Sequence, residues 1–195
     1  MAMKEYLAKG KRGITYRTMY KGKEAVVKER NPDSDVDTLQ NEYNFLKELN
    51  PHGIGPEAYS YEKGSLVMEN ITGEMIIDYL HRHEKDEIIS VLKIVFEQLR
   101  IIDNLGINKA EMTYPYKHII IRTEKPVMID FERCRKTEHP QNINQFCQFL
   151  ISKKIEVILE SKGIAIDKQK VIKLAKKYKE TYSDEDYKNL IGALW

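Results

Sequence analysis

The chain has 195 residues, 42% apolar and 32% charged, with 12 Tyr and 5 Phe; it is long enough to bury a full core, which excludes a disulfide-stapled miniprotein and a disordered chain. Formal net charge is only +2, yet residues 1–30 carry nine basic and three acidic side chains against seven and fifteen over 31–110, so the positive field is concentrated at the N-terminal end, as suits a phosphate-handling surface. No run approaches the roughly 18 consecutive apolar residues of a membrane span, and no apolar stretch of signal-peptide length opens the chain, so a cytoplasmic protein with no membrane partner is expected.

Short β-type runs broken by glycine come first: a leading strand to about Lys9, residues 14–20, a Lys21-Gly22-Lys23 turn, and residues 24–30. Leu39, Tyr43, Leu46 and Leu49 then recur at helical spacing, predicting a helix over about 35–50 that stops at Pro51-His52-Gly53. Strands follow at 58–61 and 65–69 around Glu62-Lys63-Gly64. After Gly73 the pattern turns helical. A short helix is expected at 75–83, and Ile88, Ile89, Leu92, Val95, Phe96, Leu99 and Ile102 mark a long amphipathic one ending before Gly106. Ile119-Ile120-Ile121 and Val127-Met128-Ile129 outline a hairpin, and helices are expected at 142–161, 167–181 and 184–194, the last capped by Ser183. Cys134 and Cys147 fit neither a disulfide framework nor a zinc spacing and are expected as buried thiols.

Ala8-Lys9-Gly10-Lys11-Arg12-Gly13 lies between two strand candidates, where glycines let backbone approach phosphates closely; alone, such a hairpin is more often a plain turn. Fifteen residues after Gly13 comes Ala25-Val26-Val27-Lys28, which resembles the V-A-I-K of protein kinases, whose lysine pairs with the nucleotide α/β-phosphates and with a glutamate on the next helix. That helix offers Glu42, with Glu48 as the alternative if the register differs. Leu66-Val67-Met68-Glu69-Asn70-Ile71-Thr72-Gly73 is similar to a kinase hinge, and Met128-Ile129-Asp130-Phe131-Glu132 to the D-F-G element. By itself Asp130 would be a common surface aspartate at a strand end. In this order the elements resemble the protein-kinase-like superfamily over residues 7–132. Only 63 residues follow Glu132 and no A-P-E occurs, which is similar to the small atypical kinases: RIO kinases, the small kinase of the tRNA-modification complex, lipopolysaccharide kinases and, most closely, the predicted serine/threonine kinases of archaea.

The resemblance implies an α+β, bilobal protein-kinase-like fold in a single domain: an antiparallel N-lobe with one helix over 1–70, a hinge at 71–73, and a shortened, mainly helical C-lobe over 74–195. It implies ATP with Mg²⁺ or Mn²⁺ as cofactors. Gly10 and Gly13 would cover the phosphates, Lys28 held by Glu42 would grip them, Glu69 and Ile71 would supply the adenine acceptor and donor, and Asp130 would hold the metal. Where kinases carry H-x-D-L the chain has Lys109-Ala110-Glu111-Met112, so Glu111 stands as the general base. His118 takes the place of the metal-binding Asn and is either a ligand better suited to Mn²⁺ than to Mg²⁺ or a packing residue; Lys117 could neutralise a phosphate instead. Glu132 replaces the D-F-G glycine and is expected to pair with Arg133 or Arg135 rather than to add a carboxylate at the metal.

The remaining candidates read as structural. His52, His81, His83 and His139 are expected at the surface or in caps. Six lysines over 168–179 alternate with Val171, Ile172, Leu174, Ala175 and Tyr178, the pattern of a solvated helix face over a core stripe; RNA or a ribonucleoprotein is the alternative partner of that face. The expected function is an ATP-dependent phosphotransferase, an atypical serine/threonine protein kinase acting on a protein substrate. The alternatives are a nucleotide-binding pseudokinase or ATPase-type switch, and a small-molecule kinase.

Overall fold

The computed structural model describes residues 4–10, 13–32 and 37–195. Contacts group residues 1–72 with 127–134 in one compact unit and 73–126 with 135–195 in a second.

The first unit is an antiparallel sheet of β1 (Glu5–Lys9), β2 (Gly13–Tyr20), β3 (Lys23–Arg30), β4 (Ala58–Glu62) and β5 (Ser65–Glu69), in the order β1-β2-β3-β5-β4. Lys21-Gly22 and Lys63-Gly64 close the hairpins with both residues at positive φ, the paired left-handed turn whose twist matches that of the strands. Ala25, Val26 and Val27 of β3 are all buried; since successive side chains point to opposite faces, β3 is covered on both sides just before Lys28. Helix α1 (Leu39–Leu49) buries Leu39, Phe45, Leu46 and Leu49. It begins at Leu39 rather than near 35; residues 33–36, where that start was expected, lie outside the described residues, as do Lys11 and Arg12 of the glycine hairpin. Thr38 holds the N-cap position but makes no side-chain bond to its own helix; its hydroxyl is used elsewhere.

The second unit contains the strands β6 (Glu74–Met75), β7 (Ile107–Asn108), β8 (Ile119–Arg122) and β10 (Arg135–Lys136), with β9 (Lys125–Met128) running from this unit into the first. Its helices are α2 (Ile76–Arg82), α3 (Lys85–Asn104), α4 (Asn142–Leu150), α5 (Lys153–Ser161), α6 (Lys168–Thr181) and α7 (Asp184–Ile191). β6 pairs antiparallel with β8, and a Cβ at Gly73 would fall 2.2 Å from the Ile121 carbonyl oxygen, so only glycine permits the chain to enter β6 there. Helix α3 starts with a capping box, the Glu84 N–H donating to the Glu87 carboxylate at 3.0 Å. It runs through Leu92, Val95, Phe96 and Leu99, all without solvent exposure, and Phe96 meets Phe146 edge-on at 5.2 Å.

Three expectations change. The helix predicted over 142–161 is two helices, because Ser152 adopts an extended backbone (φ −66°, ψ 143°) between α4 and α5. Ile172, expected in the core stripe of α6, is 49% exposed, while Val171, Ala175 and Tyr178 carry that stripe. His83 is more than a surface residue: it stacks on Tyr79 at 3.8 Å and lies between the Glu74 and Glu87 carboxylates. Among the described residues no helix is long and apolar enough to cross a membrane. Cys134 and Cys147 are buried and form no disulfide.

Candidate active site

In the first unit the Lys28 ammonium leaves β3 toward α1 and donates to both oxygens of Glu42, at 2.8 and 2.9 Å. Glu42, not Glu48, is the carboxylate that meets it. Glu42 is fully buried on the inner face of α1, a position a carboxylate tolerates only when paired and hydrogen-bonded. The second requirement is met by the Phe131 N–H, which donates to Glu42 Oε1 at 3.2 Å. The residue before it, Asp130, has φ 64°, a strained left-handed backbone for a non-glycine residue and a feature concentrated at functional sites. Its Oδ1 lies 3.9 Å from Lys28 Nζ. Burial alone would lower the Lys28 pKa, but Glu42 first, then Asp130 and Glu132, together hold it above the ordinary value. Lys28 is therefore a fixed positive charge with one buried and one half-exposed carboxylate beside it.

The segment after Asp130 is tied to α1. Asn41 Nδ2 donates to the carbonyls of Glu132 and Cys134, each at 3.0 Å, and the Thr38 hydroxyl donates to Glu132 Oε2 at 3.0 Å. Glu132 thus anchors the start of α1, a contact the sequence reading did not foresee. A Cβ at Gly55 would meet Leu46 Cδ2 at 2.7 Å and Phe131 Cε2 at 2.9 Å, so the loop after α1 needs glycine to pack beside Phe131. At the glycine hairpin the Gly10 N–H is committed to the Gly13 carbonyl at 2.8 Å, and Asn31 Nδ2 reaches the Gly10 carbonyl at 3.3 Å. Glu69 ends β5, its N–H donating to the Glu57 carbonyl at 2.9 Å; Ile71 stands half-buried two residues on.

In the second unit the loop after β7 carries Glu111 and His118. Ala110 and Glu111 have φ of 63° and 62°, again left-handed and strained. The Glu111 carboxylate and His118 Nε2 are 3.6 Å apart, both half-buried; Lys117, the last residue of the short helical turn Pro115–Lys117, is exposed. The loop hangs on groups that the motif reading missed. Lys109 N–H donates to Asn142 Oδ1 at 2.7 Å, and Asn142 Nδ2 donates to the Ile107 carbonyl and to Asp103 Oδ1, each at 2.7 Å. Met112 N–H reaches Gln145 Oε1 at 3.3 Å. Burial raises the Asp103 carboxyl pKa despite the bonds it accepts from Asn142 and Tyr178. Asn142 opens a helix and reads in sequence as an ordinary polar start, so only its complete burial would have singled it out.

Residues 4–161 match the family model described as the RIO domain. The chain belongs to the RIO-domain family. Beyond the matched span lie α6 and α7. A 116-residue stretch, 58% of the chain, is 28% identical to Uncharacterized protein MJ1211 of Methanocaldococcus jannaschii and covers 99% of that protein. The autoinhibited serine kinase domain of the giant muscle protein titin superposes with a TM-score of 0.57 at 19% identity, over 69% of this chain and 46% of the titin chain. That likeness is one of fold: this RIO-domain chain is an α+β, kinase-like protein, and it spans a little under half the length of the titin kinase structure.

Proposed function

We propose that this RIO-domain chain is an ATP-dependent phosphotransferase, an atypical serine/threonine protein kinase that moves the γ-phosphoryl group of ATP to a protein hydroxyl. The observation that supports it is the grip of Glu42 on Lys28 with Asp130 at 3.9 Å from the same ammonium, inside a family match that covers most of the chain. Lys28 binds the α/β-phosphates as a point charge that stays protonated near neutral pH, and Glu42 keeps it from swinging away. Gly10 and Gly13 lie over the phosphates without side chains to obstruct them. Glu69 accepts from, and Ile71 donates to, the adenine edge.

Asp130 is the metal ligand. Its carboxylate is a hard oxygen donor, 35% exposed beside a cation, which fits Mg²⁺ or Mn²⁺. When bound, the metal neutralises the charge that develops on the transferred phosphoryl oxygens. His118 offers an imidazole nitrogen, a donor that favours Mn²⁺ over Mg²⁺. Glu111 orients the acceptor hydroxyl and takes its proton; it carries the same functional group as the usual aspartate on one more methylene, so its placement by the strained loop decides its efficiency.

The replacement of the expected aspartate and asparagine by Glu111 and His118 favours one other reading, a nucleotide-binding switch that transfers nothing. Incubation with γ-labelled ATP and Mg²⁺ or Mn²⁺, alone and with protein acceptors, separates the two. Label on protein with the wild type and none with Asp130→Ala supports the kinase. Nucleotide binding with no label on any acceptor supports the switch.

A further inference from the structure

Asp103 is a carboxylate on α3 that is 4% exposed and belongs to no motif. Its Oδ1 accepts from both the N–H (3.2 Å) and the Nδ2 (2.7 Å) of Asn142. Its Oδ2 accepts from the Tyr178 hydroxyl at 2.9 Å. That hydroxyl in turn accepts from Arg100 Nη1 at 2.9 Å, while Arg100 Nη2 donates to the Tyr182 carbonyl at 2.7 Å and to Asp184 at 3.0 Å. At the other end of the chain of bonds, Asn142 holds the Ile107 carbonyl and the Lys109 N–H, the residues that lead directly into Glu111. Every link is within the second unit.

We infer that Tyr178 is a positioning residue for the loop carrying Glu111: through Asp103 and Asn142 it fixes the backbone of 107–109, so that α6, which lies beyond the family match, sets the placement of the catalytic carboxylate. This rests on the kinase reading of Glu111. The physical argument is one of polarisation and completeness. A buried carboxylate with all its donors in place is rigid, and a bond chain running from a guanidinium through a phenol to a carboxylate strengthens each member; removing one donor leaves a buried acceptor short and loosens what it held. Ala110 and Glu111 sit at positive φ, and strained backbone persists only where its surroundings over-determine it. The bonds to residues 107 and 109 are part of that restraint. Tyr178 fills the space with its ring, so Tyr178→Phe removes the donor and leaves the packing.

The test compares wild type with Tyr178→Phe, and with Arg100→Gln as a second variant in which Tyr178 is intact but unpolarised. Amide hydrogen exchange is read at Lys109 and, as a control, at residues 26–28 of β3; phosphoryl transfer is read as separate kcat and KM for ATP. The expected result is exchange at Lys109 faster by about tenfold or more with β3 unchanged, and kcat lower by roughly ten- to a hundredfold at unchanged KM for ATP, the signature of a misplaced group that does not bind nucleotide. Lys109 exchanging at the wild-type rate in both variants overturns the inference, as does a uniform rise across both units. Selective loosening at Lys109 in a chain whose wild type transfers no phosphate keeps the strut and retires the kinase reading, so the two claims fail separately.

Discussion

Lys28 and Glu42 form a pair in which one partner is nearly inaccessible, with side-chain exposures of 19% and 1%, and that asymmetry governs what substitutions do. Lys28→Ala leaves a buried carboxylate with only the Phe131 N–H, a change expected to cost about 3–5 kcal/mol of stability as well as nucleotide affinity; Glu42→Gln should cost less, because an amide oxygen can still accept. Chemical denaturation of both variants beside ATP-binding titrations checks the order. Because the Lys28 pKa is raised in the folded chain from an ordinary 10.5, the pair's contribution is complete below that value and is lost as pH climbs through the higher folded value. The wild type should therefore lose stability above about pH 10.5 by a component that Lys28→Met lacks. Glu111→Gln should bind ATP as the wild type does and turn over about 10²- to 10⁴-fold more slowly; wild-type turnover would remove Glu111 as the base. Burial pushes the Cys147 thiol up to about 12, so Cys147 in the folded protein should resist alkylation near pH 8 and react only once the chain is denatured.

At the scale of elements, caps and clasps decide where helices begin. Ser183 accepts from the Asp186 N–H at 3.1 Å at the start of α7, as its position before an acidic first turn implied, and Ser183→Ala should cost about 1 kcal/mol, readable as a lower denaturation midpoint. The helix α1 is different. Its N-cap threonine faces Glu132, 94 residues away in sequence, while the Leu39 N–H donates to Asp37 Oδ1 at 3.0 Å, so its start joins a local cap to a tertiary contact that no local pattern shows. The same distinction explains what the sequence made legible. The five strands of the first unit, the long α3 and the Lys28–Glu42 contact follow from alternation, helical periodicity and a motif with fixed spacing. The break at Ser152 was hidden because residues on both sides carry one uninterrupted apolar periodicity, and the two-residue strands β6, β7 and β10 are too short to show any period at all. Tyr178 looked like core within a lysine run, and its hydroxyl's partner, Asp103, lies 75 residues earlier; a bond across that separation leaves no pattern in either segment.

For the whole molecule, the basic first thirty residues and the RIO-domain match support the proposed reading of a nucleotide handler built from few parts, carried on a kinase-like fold. Phosphoryl transfer depends on position and charge more than on covalent chemistry by the protein, so a fixed ammonium, a metal-binding carboxylate and a placed base are sufficient in principle. The central claim is that Lys28, Glu42 and Asp130 constitute a nucleotide–metal site. Thermal unfolding with ATP plus Mg²⁺, and separately plus Mn²⁺, for wild type and Asp130→Ala tests it most directly. Ligand at about 100 times its Kd adds about 2.7 kcal/mol, a rise of several degrees for a chain of this size. A metal-dependent rise in the wild type that disappears in Asp130→Ala is the predicted result; no rise with either metal, or an equal rise in the variant, would contradict the account.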